Sequence, residues 1–165
     1  MTKEERIQKA VDAAIETHMK FSVCGRSAMY GLKQAFDFVP DEFVKASMSL
    51  SGGIGAGYGS CGAYASAQMV AGLKYNPTIE QQAEHPELFP PAQDKFMELR
   101  DRFKKEFGTL LCPEIHMQLF GRTFDFTDME ELEAYMNMEG RCEKCAQTVA
   151  RAVKLTCEML LEDEE

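Results

Sequence analysis

Residues 52–70 read GGIGAGYGSCGAYASAQMV: five glycines fall within the eight positions 52–59, and the run passes through one cysteine, Cys61, into an alanine-rich apolar stretch. Glycine loses the most backbone freedom on ordering, so such a run needs a use. Gly57, Gly59 and Gly62 match G-x-G-x-x-G, a nucleotide fingerprint only where a strand precedes it inside a βαβ unit. No segment of the chain alternates with period two and β-branched enrichment, so the fingerprint lacks its setting and no nucleotide is expected. A Walker-type phosphate loop fails as well, because no G-K-[ST] follows. What remains is a glycine bend at 52–60 leading into a helix over 61–73, and that reading makes the fold all-α. Two uses of the bend stay open. It lets two helices pack closely, or its uncovered amides, with Gly57, Gly59 and Gly62 as the cofactor-binding candidates, approach a sulfur or a cluster.

Outward from the bend, the pattern is helical throughout. Thr2 and Glu5 form a capping box ahead of Ile7, Ala10, Val11, Ala14, Ile15 and Met19 at helical spacing. A second helix starts near Ser22, carries Cys24, Ala28, Leu32, Ala35, Phe36 and Val39 on one face, and stops at Pro40. A short helix covers 41–48. Residues 74–91, KYNPTIEQQAEHPELFPP, hold four prolines and predict one long surface loop. Phe96, Leu99, Phe103 and Phe107 mark an amphipathic helix whose aromatic stripe reads as core. Cys112-Pro113 opens a short helix ending before Gly121. Thr127 with Glu130 predicts a second capping box, on a helix that Gly140 closes, and a last helix runs over 141–161. The expectation is a helical bundle of six or seven helices, a single domain over 1–165.

Length and composition agree with one soluble domain. The chain has 165 residues, 45% hydrophobic and 27% charged, enough to bury a core without staples. A net charge of −9 with no offsetting basic cluster disfavours nucleic acid and anionic membranes as partners. The closing LEDEE reads as a solvated acidic end. No stretch approaches the roughly 18 apolar residues of a membrane span, and the first twenty residues are not signal-like, so the expected location is the cytoplasm, without membrane insertion.

Six cysteines in that compartment, Cys24, Cys61, Cys112, Cys142, Cys145 and Cys157, point to metal binding or redox chemistry rather than a disulfide framework. Their positions are informative. Cys61 is expected at the start of the central helix, Cys112 at the cap before Pro113, Cys24 in the first turn of its helix, and Cys142 and Cys145 in the first turns of the last. A helix start carries unpaired N–H groups and partial positive charge, which favours thiolate, the form that ligates metal or attacks a disulfide. Cys142-x-x-Cys145 could form a labile disulfide, supply two ligands, or hold Cys142 as a spare for Cys145. Cys157 shares a stripe with Val149, Val153 and Leu160 and reads as a core thiol. His116, four residues after Cys112, could polarise that thiol, but a lone helix histidine reads first as a surface or core residue. His18 and His85 show no partner. The methionines, mostly at core spacing, read as packing, and no Ser-His-Asp set is present.

Cys24 in a helix after an aromatic residue, a glycine run ending in Cys61-Gly62-Ala63, Cys112 after Phe107-Gly108, and Cys145 followed by Val149 and Ala152 resemble the C_GCAxxG_C_C family of redox-active proteins over roughly residues 20–157. That family also resembles the cluster-bearing part of split-Soret cytochromes. The resemblance implies Cys24, Cys61, Cys112 and Cys145 as the functional thiols, with Cys142 auxiliary. Ser60 and Ser66 depart from the pattern: Ser60 stands where a glycine precedes the central cysteine, and Ser66 replaces the glycine whose small size serves close helix contact. No C-x-x-C-H attachment site occurs, so no haem is expected.

Four thiolates suffice for a [2Fe–2S] or [4Fe–4S] cluster or for zinc. Spacing does not choose among them. The helix starts, which offset the charge of four thiolates, favour an iron–sulfur cluster. The leading expectation is therefore an electron-transfer protein with an iron–sulfur centre and a redox partner that the chain does not identify. The alternatives are a metal-free thiol–disulfide protein and a noncatalytic helical interaction module. Nothing marks a small-molecule substrate or an enzymatic step, and homo-oligomer formation stays open.

Overall fold

The opening capping box forms as its spacing predicts. In the computed structural model, which describes residues 1–164, the Thr2 hydroxyl accepts from the Glu5 N–H and the Glu5 carboxylate accepts from the Thr2 N–H. This starts helix α1 (Lys3–Phe21), which ends at Ser22 in the left-handed conformation. Helix α2 (Cys24–Ala35) turns back along it. Gly31 makes the crossing close: a Cβ there would stand 2.6 Å from the Ala10 carbonyl oxygen and 2.7 Å from the Ala14 Cβ.

α2 stops earlier than Pro40. Phe36 and Val39 leave the helical path yet remain buried, held in a turn in which the Val39 N–H donates to the Phe36 carbonyl. Pro40 instead caps α3 (Asp41–Ala46), which runs into a 3-10 turn at Ser47–Leu50. After the glycine bend comes α4 (Gly62–Tyr75), whose Ala63, Ala67, Val70 and Ala71 face the core.

The expected loop over 74–91 is largely helical, although its residues are mostly exposed as predicted. α4 continues to Tyr75; α5 (Ile79–Glu84) starts on a capping box of Thr78 with Gln81; and Pro86–Leu88 makes a 3-10 turn before α6 (Phe89–Phe107). The prolines cluster at helix starts, where no N–H is needed, so they punctuate helices here rather than abolish them. On α6, Leu99 and Phe103 are buried and Phe107 packs at the core edge, while Phe96 is exposed and Ala92 takes the buried place upstream.

α7 (Cys112–Phe120) ends at Gly121 in the left-handed region. The cap of α8 (Met129–Met136) is Asp128, not Thr127. The Asp128 carboxylate accepts from the N–H groups of Glu130 and Glu131, and the Thr127 hydroxyl is already committed to Asp125. α9 (Arg141–Glu162) begins at left-handed Gly140 and buries Val149, Ala152, Val153, Cys157 and Leu160. α1, α2, α4 and α9 pack on one another, with α6 against α4 and α9.

The fold is all-α, and among the described residues it has nine α-helices rather than six or seven. Of the nine, only α5 lies wholly in the stretch that reads as loop, where prolines and polar residues disguise it, while the short α3, α7 and α8 fall where the sequence places helices. The acidic end is not simply solvated: Glu162 pairs with Arg102, Asp163 with Lys95, and Glu164 with Arg6 and Lys74, fastening α9 to α1, α4 and α6. Glu165 lies outside the described residues. No helix among the described residues is long and apolar enough to cross a membrane.

Candidate functional site

Four helix starts carry the cysteines. Cys24 is the first residue of α2, Cys61 the cap of α4, and Cys142 and Cys145 lie in the first two turns of α9. Cys112 is the first residue of α7, one place inside the expected cap, which is Leu111. Two of these starts are clamped together by backbone pairing. Ser60 and Leu111 form an antiparallel bridge, flanked by the Cys61 N–H donating to the Leu110 carbonyl (2.8 Å) and the Cys112 N–H to the Gly59 carbonyl (2.8 Å). Cys24 joins them at Gly62. A Cβ at Gly62 would stand 2.9 Å from the Cys24 sulfur and 2.4 Å from the Leu50 carbonyl oxygen, so only glycine lets the thiol of α2 reach the start of α4. Cys145 completes the group electrostatically: the charges of Cys24, Cys61 and Cys145 each act to raise the Cys112 thiol.

At Cys61, Cys112 and Cys145 the electrostatics run against the expectation that helix starts hold thiolates. Burial, then the neighbouring Cys24, pushes Cys61 up to about 12, although the amides of Ala63 and Tyr64 pull the other way. Burial and Cys24 likewise push Cys145 up to about 12, against the Tyr135 hydroxyl and the Arg141 charge. Cys112 is driven well above the usual thiol range by burial and then by Cys24, Cys61 and Cys145. A helix terminus contributes only about 0.3–1 kcal/mol, whereas desolvation moves buried groups by up to about 3–5 pKa units. Cys61, Cys112 and Cys145 therefore keep their protons at neutral pH unless a positive centre compensates their charge. All six cysteines are free thiols. Among the described residues, no group of three or more His, Cys, Asp or Glu side chains is arranged to hold a metal ion.

The glycine bend is a left-handed run. Gly52, Gly53, Ile54, Gly55, Ala56 and Tyr58 all have φ between 55° and 76°. A Cβ at Gly53 would meet the Gly59 nitrogen at 2.4 Å, so the two ends of the bend touch there. Ile54, Ala56 and Tyr58 carry side chains in a region that costs about 1–2 kcal/mol per residue. The bend does not offer its amides outward: the N–H of Gly57 donates to the Ile54 carbonyl and that of Gly59 to the Gly53 carbonyl, while Ile54, Gly55, Ala56 and Tyr58 donate to carbonyls of residues 49–52. Gly57 and Gly59 are thus not amide donors to the thiols. The amides that act on Cys61 belong to Ala63 and Tyr64, and the part of Gly62 is to leave room for Cys24.

What the bend does deliver is Tyr58. Its hydroxyl lies 2.8 Å from His116 Nδ1 and accepts from the Phe124 N–H (3.2 Å), and burial holds the phenol up at about 12. His116 is buried, its Nε2 lies 3.7 Å from the Cys112 sulfur, and its ring stacks on Tyr135 with centroids 5.1 Å apart. Phe120, Phe124 and Phe126 stand around it. Burial, then Arg141, lowers His116 to about 4, so the imidazole is neutral. His116 is a buried residue, as one of its two first readings has it, and the i, i+4 spacing from Cys112 also brings the two side chains into contact. Tyr58 carried no local signal, because its contact with His116 spans 58 residues, and Tyr135 reaches Cys145 from the preceding helix, α8.

The remaining candidates divide. Cys142 is half-buried, with its sulfur 2.9 Å from the Ser22 hydroxyl at the end of α1. Cys157 is fully buried in the core. Ser66, in place of a glycine, preserves close contact between α4 and α2, because its buried hydroxyl donates to the Gly25 carbonyl at 2.8 Å.

Comparison with curated proteins and with solved structures finds no match to the chain. A family model described as "Putative redox-active protein (C_GCAxxG_C_C)" matches residues 22–159. That span holds all six cysteines, the glycine bend and the Ser60–Leu111 bridge, and the chain belongs to this family.

Proposed function

We propose that Cys24, Cys61, Cys112 and Cys145 hold an iron–sulfur centre and that the protein transfers electrons. The observation that supports this reading is the Gly62 contact together with the Ser60–Leu111 bridge, by which three cysteine-bearing helix starts adjoin, with Cys145 in electrostatic reach. The donor set suits such a centre in its chemistry: thiolates are the ligands of iron–sulfur clusters, and thiols whose charges oppose one another, with Cys61, Cys112 and Cys145 desolvated, need a strongly positive partner, which iron supplies. When bound, such a centre takes up and releases one electron at a time. The residues around it exclude water and supply the Ala63 and Tyr64 amides, the Tyr135 hydroxyl and the Arg141 charge toward the sulfurs.

A second reading has its own observation. Cys142 is half-buried and stands three residues before Cys145 on one helix, so the pair can release two electrons and two protons to an oxidant and close a disulfide without metal. Anaerobic purification separates the two. Brown protein with stoichiometric iron and acid-labile sulfide supports the centre. Colourless protein in which two thiols per chain oxidise and reduce reversibly supports the disulfide.

A further inference from the structure

The strained bend presents Tyr58 to His116, and His116 faces Cys112. A neutral imidazole has one N–H, so its location decides what Cys112 receives. Two proton arrangements fit the observed positions. In the first, the Tyr58 hydroxyl donates to Nδ1, the imidazole hydrogen sits on Nε2, and Nε2–H donates to the Cys112 sulfur. In the second, Nδ1–H donates to the Tyr58 oxygen and the Cys112 S–H donates to Nε2. The Tyr58 oxygen already accepts from the Phe124 N–H at 3.2 Å. The second arrangement would make it a double acceptor and leave its own hydrogen without a partner among the described groups, whereas the first leaves only the Cys112 S–H without one, a far weaker donor than a phenol O–H and one that is lost when the sulfur serves as a ligand.

We propose that Tyr58 is a positioning residue that fixes His116 as the Nε2–H tautomer and thereby aims an N–H donor at the sulfur of Cys112. The packing supports it: Tyr135 stacks on the imidazole, and Phe120 meets it edge-on, so the ring cannot rotate away without breaking both contacts. The role also accounts for the strain. Tyr58 is held at φ 57° in the one segment among the described residues built of left-handed residues, and its side chain bonds to the site. The consequence for redox chemistry rests on the reading of Cys112 as a ligand: an N–H bond to a ligand sulfur draws off its electron density and favours the reduced centre.

The test starts with reduced, metal-free protein labelled with 15N at histidine, using long-range 1H–15N correlation of the ring. The expected result is His116 protonated at Nε2 in the natural chain and loss of that preference in Tyr58→Phe, which keeps the ring packed on Phe126 but removes the hydroxyl. Nδ1–H in the natural chain overturns the proposal, as does an unchanged tautomer in Tyr58→Phe. Because no cluster is needed, this result is separate from the fate of the iron–sulfur reading. On reconstituted protein, Tyr58→Phe is expected to shift the midpoint potential downward, and an unchanged potential with a changed tautomer refutes the consequence for the centre.

Discussion

Gly62 is the position at which packing and the thiol group meet, and Gly62→Ala is the perturbation that exposes this. The added methyl would stand 2.4 Å from the Leu50 carbonyl oxygen, 3.0 Å from the Leu50 carbonyl carbon and 2.9 Å from the Cys24 sulfur. Two of these atoms are backbone, so the neighbour cannot swing aside; α4 and the 3-10 turn must separate by several tenths of an ångström. Overpacking of this kind costs about 1–3 kcal/mol, or a Tm lower by roughly 2–12 °C at about 2–4 °C per kcal/mol for a chain of this size. Gly72→Ala on the same helix is the control. Its methyl would meet only the Asn76 side chain, 2.9 Å from Nδ2, which can rotate, and replacing a helical glycine gains up to about 1 kcal/mol. Denaturant unfolding of the reduced proteins should therefore place the two variants on opposite sides of the natural chain. Equal stability of Gly62→Ala and Gly72→Ala would refute the claim that Gly62 is reserved for Cys24.

Three further outcomes are expected. Ser66→Ala removes the buried bond to the Gly25 carbonyl and should cost about 1 kcal/mol in the same unfolding assay, and no loss would show that the hydroxyl does not hold α4 to α2. His18 and His116 are buried and each lowered to about 4, by burial and then by Arg141. With depressed folded values their contribution is complete above the unfolded value near 6.5 and is lost as pH falls toward 4, by up to roughly 3 kcal/mol each; a stability profile flat between pH 7 and 4.5 would contradict this. Alkylation of the native, reduced chain should label Cys142 well before Cys157, which has no exposed surface, and mass mapping that finds Cys157 labelled as fast would contradict its place in the core.

The helices with strong apolar periodicity were legible in the sequence, as α1, α6 and α9 illustrate. So was the placing of five cysteines at helix starts, because capping residues, prolines and glycines mark those starts locally. α5 and the early start of α6 were not legible, since polar, proline-rich residues signal a loop unless the Thr78–Gln81 box is given weight over them. Asp128 took the cap from Thr127 because a carboxylate accepts two amides where the hydroxyl was already used. The protonation of Cys61, Cys112 and Cys145 is not legible for a physical reason: helix ends are visible in sequence, while burial depends on the whole fold, and burial is the larger effect. Tyr58 escaped notice because its contact with His116 spans 58 residues and depends on a left-handed path that residue types alone do not specify.

The most direct test of the convergence of four thiols is a set of six single Cys→Ser variants, purified anaerobically and assayed for iron and sulfide per chain. The account predicts loss at Cys24, Cys61, Cys112 and Cys145 and retention at Cys142 and Cys157. Equal iron in all six variants, or loss that follows Cys157, would contradict it.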